Sequence, residues 1–473
     1  MKRYLIFFLT STLTVTSCGG SSEQVAGIDA RGDPTPVAVV SKGTISGFGS
    51  VIVNGVAFNT NATTFTIDGN DGTQADLSVG DVIVVRGTVN EDGTSPAADS
   101  ITFDDAVEGP ISAIDEPNQT LTVLGQMVHV DADTSFDDSI SPASLEGLMV
   151  TDVVEVSGFF LADGSISATR IELKSVPGEL ELTGHVSNIS GTTFEINGFV
   201  VDFSAPGVLL GFPGGTPENG QLVEAKGDAL GGSGELLATR VEFKGGDLGD
   251  DGDRAELEGF VTRFVSAVDF DVEGVPVTTN GQTTYENGSA IDLALNRKVE
   301  VEGDINAAGV LVATKVEIKA SGFVRIESLV EDVQADRLTV LGVVIRVNTA
   351  TRLEDKSDED REPFNLSHVV VGDYVEIRGF EDANGIVATR LERLEREDFD
   401  GDVALRGFVD SISDPDFSIL GVTVSTVFAT FADVDGSPLT PAEFFQQANG
   451  RLVEASGTLN GAVITAGEVQ LEN

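Results

Sequence analysis

The side chains with most chemical reach in this chain are three histidines, one cysteine and several knots of carboxylates. A Ser–His–Asp relay needs a histidine held beside a nucleophile. His129, His185 and His368 fall in different repeats, the first two at positions that other copies of the surrounding sequence fill with unrelated residues and the third in the connection between the third and fourth strands of its copy. They suggest neither a relay nor a histidine metal cluster. One cysteine excludes a disulfide scaffold and a Cys-ligated zinc. No Gly-rich phosphate loop precedes a helix, and no dinucleotide fingerprint is present. The carboxylate knots are Asp68-Gly69-Asn70-Asp71, the run from Asp247 to Asp253, the run from Glu397 to Asp402, and Asp433-Val434-Asp435-Gly436. Carboxylates spaced by glycine in a loop can wrap a hard cation such as Ca2+ with oxygen ligands. The candidate ligands are Asp247, Asp250, Asp251 and Asp253 in one run, and Asp398, Asp400 and Asp402 in the other. None of the knots fits the EF-hand loop: counted from Asp433, the ligand glutamate Glu443 comes one place early. The plain alternative is a solvated acidic linker. No clustered acid–base constellation stands out, so the expectation is a protein that is not an enzyme and has no cofactor beyond a possible Ca2+.

Charge narrows the partners. The chain has 473 residues, with 28 Lys and Arg against 77 Asp and Glu, a balance of −49. Nucleic-acid affinity rests on cations that neutralise phosphate, so a nucleic-acid partner is not expected. A hydrophobic fraction of 41% separates the chain from disordered acidic polymers. At the start, Lys2 and Arg3 precede an apolar run, Tyr4–Leu13, of about the length of a secretory h-region and too short to span a bilayer. Val15-Thr16-Ser17-Cys18 follows, and it resembles a bacterial lipobox. The resemblance implies cleavage before Cys18, acylation of that residue, and a membrane-lipid partner. Several acyl chains anchor stably where one is marginal. Gly19 follows the cysteine in place of Asp, and similarity to Gram-negative lipoproteins then favours the outer membrane, on its periplasmic or its surface side.

The elements that must carry these residues are repeated. Length alone suggests about three domains, but internal similarity overrides that estimate. A Val-Glu-rich strand ends in glycine at 87, 158, 227, 303, 379 and 457, at intervals of 69 to 78 residues. A second signal follows each time, as in Ala168-Thr169-Arg170-Ile171-Glu172. Within each copy the apolar period is two, the mark of half-buried strands. In the fourth copy, strands are expected at 257–264, 268–272, 275–279, 298–304 and 310–318. Three strands, an irregular connection and a hairpin form the order of an OB-type barrel. The fold expectation is therefore all-β: a tandem array of six small OB-like five-stranded β-barrel units behind a lipoprotein signal peptide. A small sandwich or half-open roll is the alternative. The boundaries are a signal peptide at 1–17, a lipidated cysteine and flexible stalk at 18–42, and repeats at 43–105, 106–176, 177–246, 255–320, 321–396 and 403–473. Acidic linkers fill 247–254 and 397–402. Glu155 with Arg170, Glu224 with Arg240, Glu300 with Lys315 and Glu376 with Arg390 read as cross-strand pairs on the solvent face of the hairpin, structural register markers rather than catalytic groups.

Tandem units carrying Gly-Asp-x-Val-x-Val-x-Gly and then Ala-Thr-Arg-Ile-Glu behind a lipobox resemble bacterial envelope lipoproteins built from domain of unknown function 5666. Gly80-Asp81 and Gly372-Asp373 keep the Gly-Asp element. The resemblance implies an envelope location and a β-barrel fold, and brings no activity or site residues. The functional expectation is a non-enzymatic, outer-membrane-anchored array with structural or interaction roles. The alternative is a ligand-binding module for a divalent cation or a glycan, with an envelope protein or glycan as partner. Absence of Trp and only three Tyr weigh against a glycan groove.

Overall fold

The computed structural model describes residues 36–174, 178–245, 248–319, 322–382 and 384–472. Cys18 and Asp247 lie outside them. Alternation dictates the strands: in Val82–Asn90, Ile83, Val85 and Val89 point inward while Val84 and Arg86 point out. The strand segments of the fourth repeat fall where the period places them. Arg254–Ser266 pairs with Asp269–Val272, and that strand pairs with Val275–Thr278. Val275–Thr278 runs parallel to Leu311–Ile318. Lys298–Ile305 pairs with Leu311–Ile318 on one side and with Arg254–Ser266 on the other. Each repeat thus winds its strands into one coil.

The coils are not separate. Pro36–Gly47 of repeat one runs parallel to Arg254–Ser266 of repeat four, with Val39 opposite Arg254 and Lys42 opposite Leu257. Val107–Asp115 of repeat two pairs with Leu180–Ser190 of repeat three. Val324–Gln334 of repeat five pairs with Asp402–Ser413 of repeat six. Backbone hydrogen bonds therefore carry the six repeats into three 13-stranded sheets. Apolar cores follow the same seams. One cluster joins Ile326 and Leu391 of repeat five to Leu405 and Phe444 of repeat six, and another joins Val107 and Ile171 of repeat two to Leu182 and Val241 of repeat three. The expectation of six separate OB-like five-stranded barrels is overturned: the chain is a solenoid-like stack of β-coils. The physical reason lies in the edges. A strand edge left open exposes unpaired backbone groups, and each repeat's first strand satisfies its edge on another repeat. Residues 36–42, expected in the flexible stalk, are strand: all of them pair with Val82–Asn90, and 39–42 also fill the seam with repeat four.

The recurring glycine has a steric cause. A Cβ at Gly87, Gly158, Gly227, Gly303, Gly379 or Gly457 would sit 2.0 to 2.4 Å from a carbonyl oxygen on the facing strand. Five of these glycines adjoin a register shift in the hairpin, for example between Glu302 and Gly303. The bulge presses the two backbones together and adds local twist. Gly303→Ala is expected to lower stability by about 1–3 kcal/mol through backbone displacement. Gly281→Ala, with open space around it, is expected to be near neutral. Urea unfolding of the two variants checks this.

Candidate functional site

Outward positions of the strands carry charge, and the coils bury much of it. Across the sheet of repeats two and three, facing residues form a row: Glu172, Glu155, Glu108, Glu181, Lys226 and Arg240. Four carboxylates in succession repel one another across strands. Cations placed along the neighbouring strands offset this. Lys174 pairs with Glu155 and lies 3.2 Å from Glu172. Lys226, fully buried, pairs with Glu181 and lies 3.3 Å from Glu224. Lys244 joins Glu224 at 3.1 Å to Asp104 at 3.0 Å.

The expected cross-strand pairs are displaced by this register. Glu155 faces Glu172, and Arg170 faces Ser157. Glu224 faces Glu242 while Arg240 faces Lys226. Glu300 faces Glu317 while Lys315 faces Glu302. Only Glu376 and Arg390 meet, diagonally, at 3.7 Å. Nor is the face solvated: Glu224, Glu300, Arg170 and Arg390 are buried. Arg240 and Lys315 pair within their own repeats, with Glu242 and Glu302, while Arg170 and Arg390 clamp other repeats. Arg170 reaches Asp81 of repeat one at 3.9 Å and Glu354 of repeat five at 4.0 Å. Arg390 donates to the Thr134 carbonyl of repeat two at 2.6 Å.

Burial acts on the carboxylates unevenly. It pushes Asp81 up to about 8 although Arg170 opposes the shift. It raises Glu155 to about 7, and Glu256 to about 7 with help from the facing Glu302 and nearby Glu300. Burial also works to raise Glu258, Glu354 and Glu376, but adjacent cations outweigh it and hold all three down at about 2.

Two of the places that gather polar groups from several repeats combine room or unpaired charge with burial. The first is a cavity of about 220 Å³ where repeats one, two, four and five meet. Asn54, Asp133, Glu258, Lys298, Lys319 and Arg352 line it. Its cations are committed locally: Lys298 to Glu258 at 2.9 Å, Lys319 to Glu300 at 2.7 Å, and Arg352 to the Thr169 carbonyl at 3.2 Å. The second is a carboxylate cluster at the junction of repeats one, two and three. One oxygen each from Asp68, Asp105 and Glu181 lies within 4.8 Å of the others, and Asp105 forms a second such set with Glu108 and Glu155.

Among the described residues these are the sets of three carboxylates close enough to share a metal, so the expected ligands fall elsewhere. Asp250 and Asp253 cap their own turn, with the Asp250 N–H donating to Asp253 at 2.8 Å, and Asp251 shares that turn. Asp398, Asp400 and Asp402 edge a shallow groove beside Arg325. Of the cluster residues only Asp68 belongs to a Gly-spaced knot. Asp105 and Glu108 lie three residues apart and Glu181 far from both in sequence, and their one signal is a place on or beside a first strand. The histidines serve locally: His185 bonds the Gly220 carbonyl at 3.1 Å, His368 accepts the Asn365 N–H at 3.2 Å, and His129 lies beside Ser167 in a parallel pair.

Comparison with protein families matches six segments, residues 39–102, 108–172, 183–242, 258–317, 326–392 and 406–470, to the family described as Domain of unknown function (DUF5666). The chain belongs to this family, as six tandem copies of its domain. No curated protein matches it significantly.

A pH dependence follows from the buried carboxylates. Asp81, Glu155 and Glu256 have raised folded-state values, so the fold holds protons that the unfolded chain releases, and stability falls as pH rises from about 4 through 8. Glu258, Glu354 and Glu376 have depressed values, so their stabilisation is present above about 4.5 and is lost as pH falls towards 2. Stability is expected to peak between roughly pH 4 and 5. Glu256→Gln is expected to recover roughly 1–2 kcal/mol at pH 8.5 relative to wild type and little at about pH 4. Denaturant titrations at the two pH values check both statements.

Proposed function

We propose that this chain is an outer-membrane-anchored lipoprotein whose stacked β-repeats serve as a non-enzymatic structural and interaction module of the cell envelope. The observation that carries the reading is the placement of the only cysteine, Cys18, after small residues that close the apolar run Tyr4–Leu13. Thioether acylation needs a cysteine at that place. The repeats support the reading through what they do with charge: Arg170, Lys226 and Arg390 are spent on joints between or within repeats. No helix of the described residues is long and apolar enough to cross a membrane, so attachment in this reading runs through the lipid. A net charge of −49 keeps such a module soluble beside the membrane.

A second reading, ligand binding, draws on the cavity at the four-repeat junction. Its mixture of Phe260 and Phe380 with Asn54, Asn348 and Thr389 suits a small polar ligand such as a glycan unit.

Cys18→Ser, expressed in a Gram-negative host, is expected to leave the membrane fraction and lose acyl mass at its amino terminus, while wild type fractionates with the outer membrane. A variant that stays in that fraction would refute the anchoring. Calorimetry with cell-wall glycan fragments separates the second reading: saturable heat abolished by Asn348→Ala supports it, and silence rejects it.

A further inference from the structure

The cluster around Asp105 shares no residue with the cavity lining. Asp105 sits on the connection between repeats one and two, and the backbone there is pinned on both sides. The Ala106 N–H donates to the Val156 carbonyl at 3.0 Å, and the Thr183 N–H donates to the Ala106 carbonyl at 3.1 Å. The Thr183 hydroxyl donates to the Asp105 carbonyl at 3.2 Å. The side chain has no such support. Asp105 is 1% exposed, and neither carboxylate oxygen has a hydrogen-bond donor. Asp68 Oδ1 and Glu181 Oε1 are also buried without a donor. Each of the three residues of this set therefore keeps an unsatisfied buried oxygen, and such groups are rare because desolvation without a partner is costly.

The nearest cation does not meet the need. The Lys226 ammonium pairs with the other oxygen of Glu181, lies 3.3 Å from Glu224 and donates to the Asp68 carbonyl at 3.1 Å. The three orphan carboxylates remain in excess of local positive charge. One oxygen from each of the three residues lies within 4.8 Å of the others, close enough for a single ion to bridge them. Calcium accepts several protein carboxylates in a flexible shell, whereas magnesium sheds its waters reluctantly and is seldom held by an all-protein cage. Asp68 is partly exposed and gives the ion a way in.

We propose that Asp68, Asp105 and Glu181 form a divalent-cation site that prefers calcium and ties repeat one, the connection between repeats one and two, and repeat three into one joint. The site does not depend on lipid anchoring or on the cavity.

The test uses the full mature chain, stripped with EDTA and titrated with CaCl2 and separately with MgCl2 by calorimetry, with thermal unfolding followed in parallel. The expected result is one equivalent of Ca2+ bound, a Tm raised by about 5 °C at saturation, and Mg2+ bound at least tenfold more weakly. Asp105→Asn is expected to abolish both the equivalent and the Tm shift. Should that variant fail to fold, Asp68→Asn, at the partly exposed ligand, is expected to weaken Ca2+ at least tenfold. Asp250→Asn and Asp400→Asn, in the exposed acidic runs, are expected to bind as wild type does. Absence of saturable Ca2+ uptake by the folded chain would overturn the proposal and leave the cluster held by protons. Binding unchanged in Asp68→Asn and Asp105→Asn would overturn it equally, as would binding lost only in the Asp250 or Asp400 variant.

Discussion

Everything in this architecture depends on covering the charged outer face of the hairpins. A strand that alternates Val with Glu has one face suited to a core and one suited to water. Here the second face is turned against another repeat. Carboxylates removed from water destabilise a fold unless cations and donors follow them. Lys174, Lys226, Lys244, Arg170 and Arg390 are the cations that follow, and all but Lys174 reach into other repeats. Truncating one such cation leaves its partner buried and unmatched, so a change in one repeat is felt in its neighbours.

The backbone enforces the same coupling. Parallel pairing of Pro36–Gly47 with Arg254–Ser266 joins repeats that stand three apart in sequence. Contacts between sheets add to it: the Val82 N–H of repeat one donates to Ser157 of repeat two at 2.8 Å, and Ser46 of repeat one donates to the Thr349 carbonyl of repeat five at 2.8 Å. One repeat of roughly 60 to 75 residues buries too little surface to be comfortably stable alone. Shared cores and shared charge joints supply what a single coil lacks, as in other stacked-repeat proteins.

Much of the local structure was legible. Period-two alternation located the strands of the fourth repeat, and the six glycines marked the hairpins, because an apolar pattern and a missing Cβ are properties of one residue and its immediate neighbours. The seams were not legible. Glu155 and Arg170 look like partners when copies are aligned, but the hairpin register sets Glu172 opposite Glu155 and Arg170 opposite Ser157, two residues along the same face. A Pro- and Ser-containing start made 36–42 read as stalk, although a distant strand recruits it. Asp105 and Glu181 carry no local motif, because their proximity is created by the packing of three repeats. Polar outward positions carry the same letters whether water or another coil covers them.

Differential scanning calorimetry of the mature chain tests the central claim, that buried charge joints make six repeats one cooperative body. The account requires a single transition at pH 6 whose calorimetric and van't Hoff enthalpies agree, with their ratio near 1. A ratio approaching 6, or a series of resolved transitions that persist independently when Arg170 or Lys226 is replaced by Met, would show that the repeats unfold as separate beads and would contradict it.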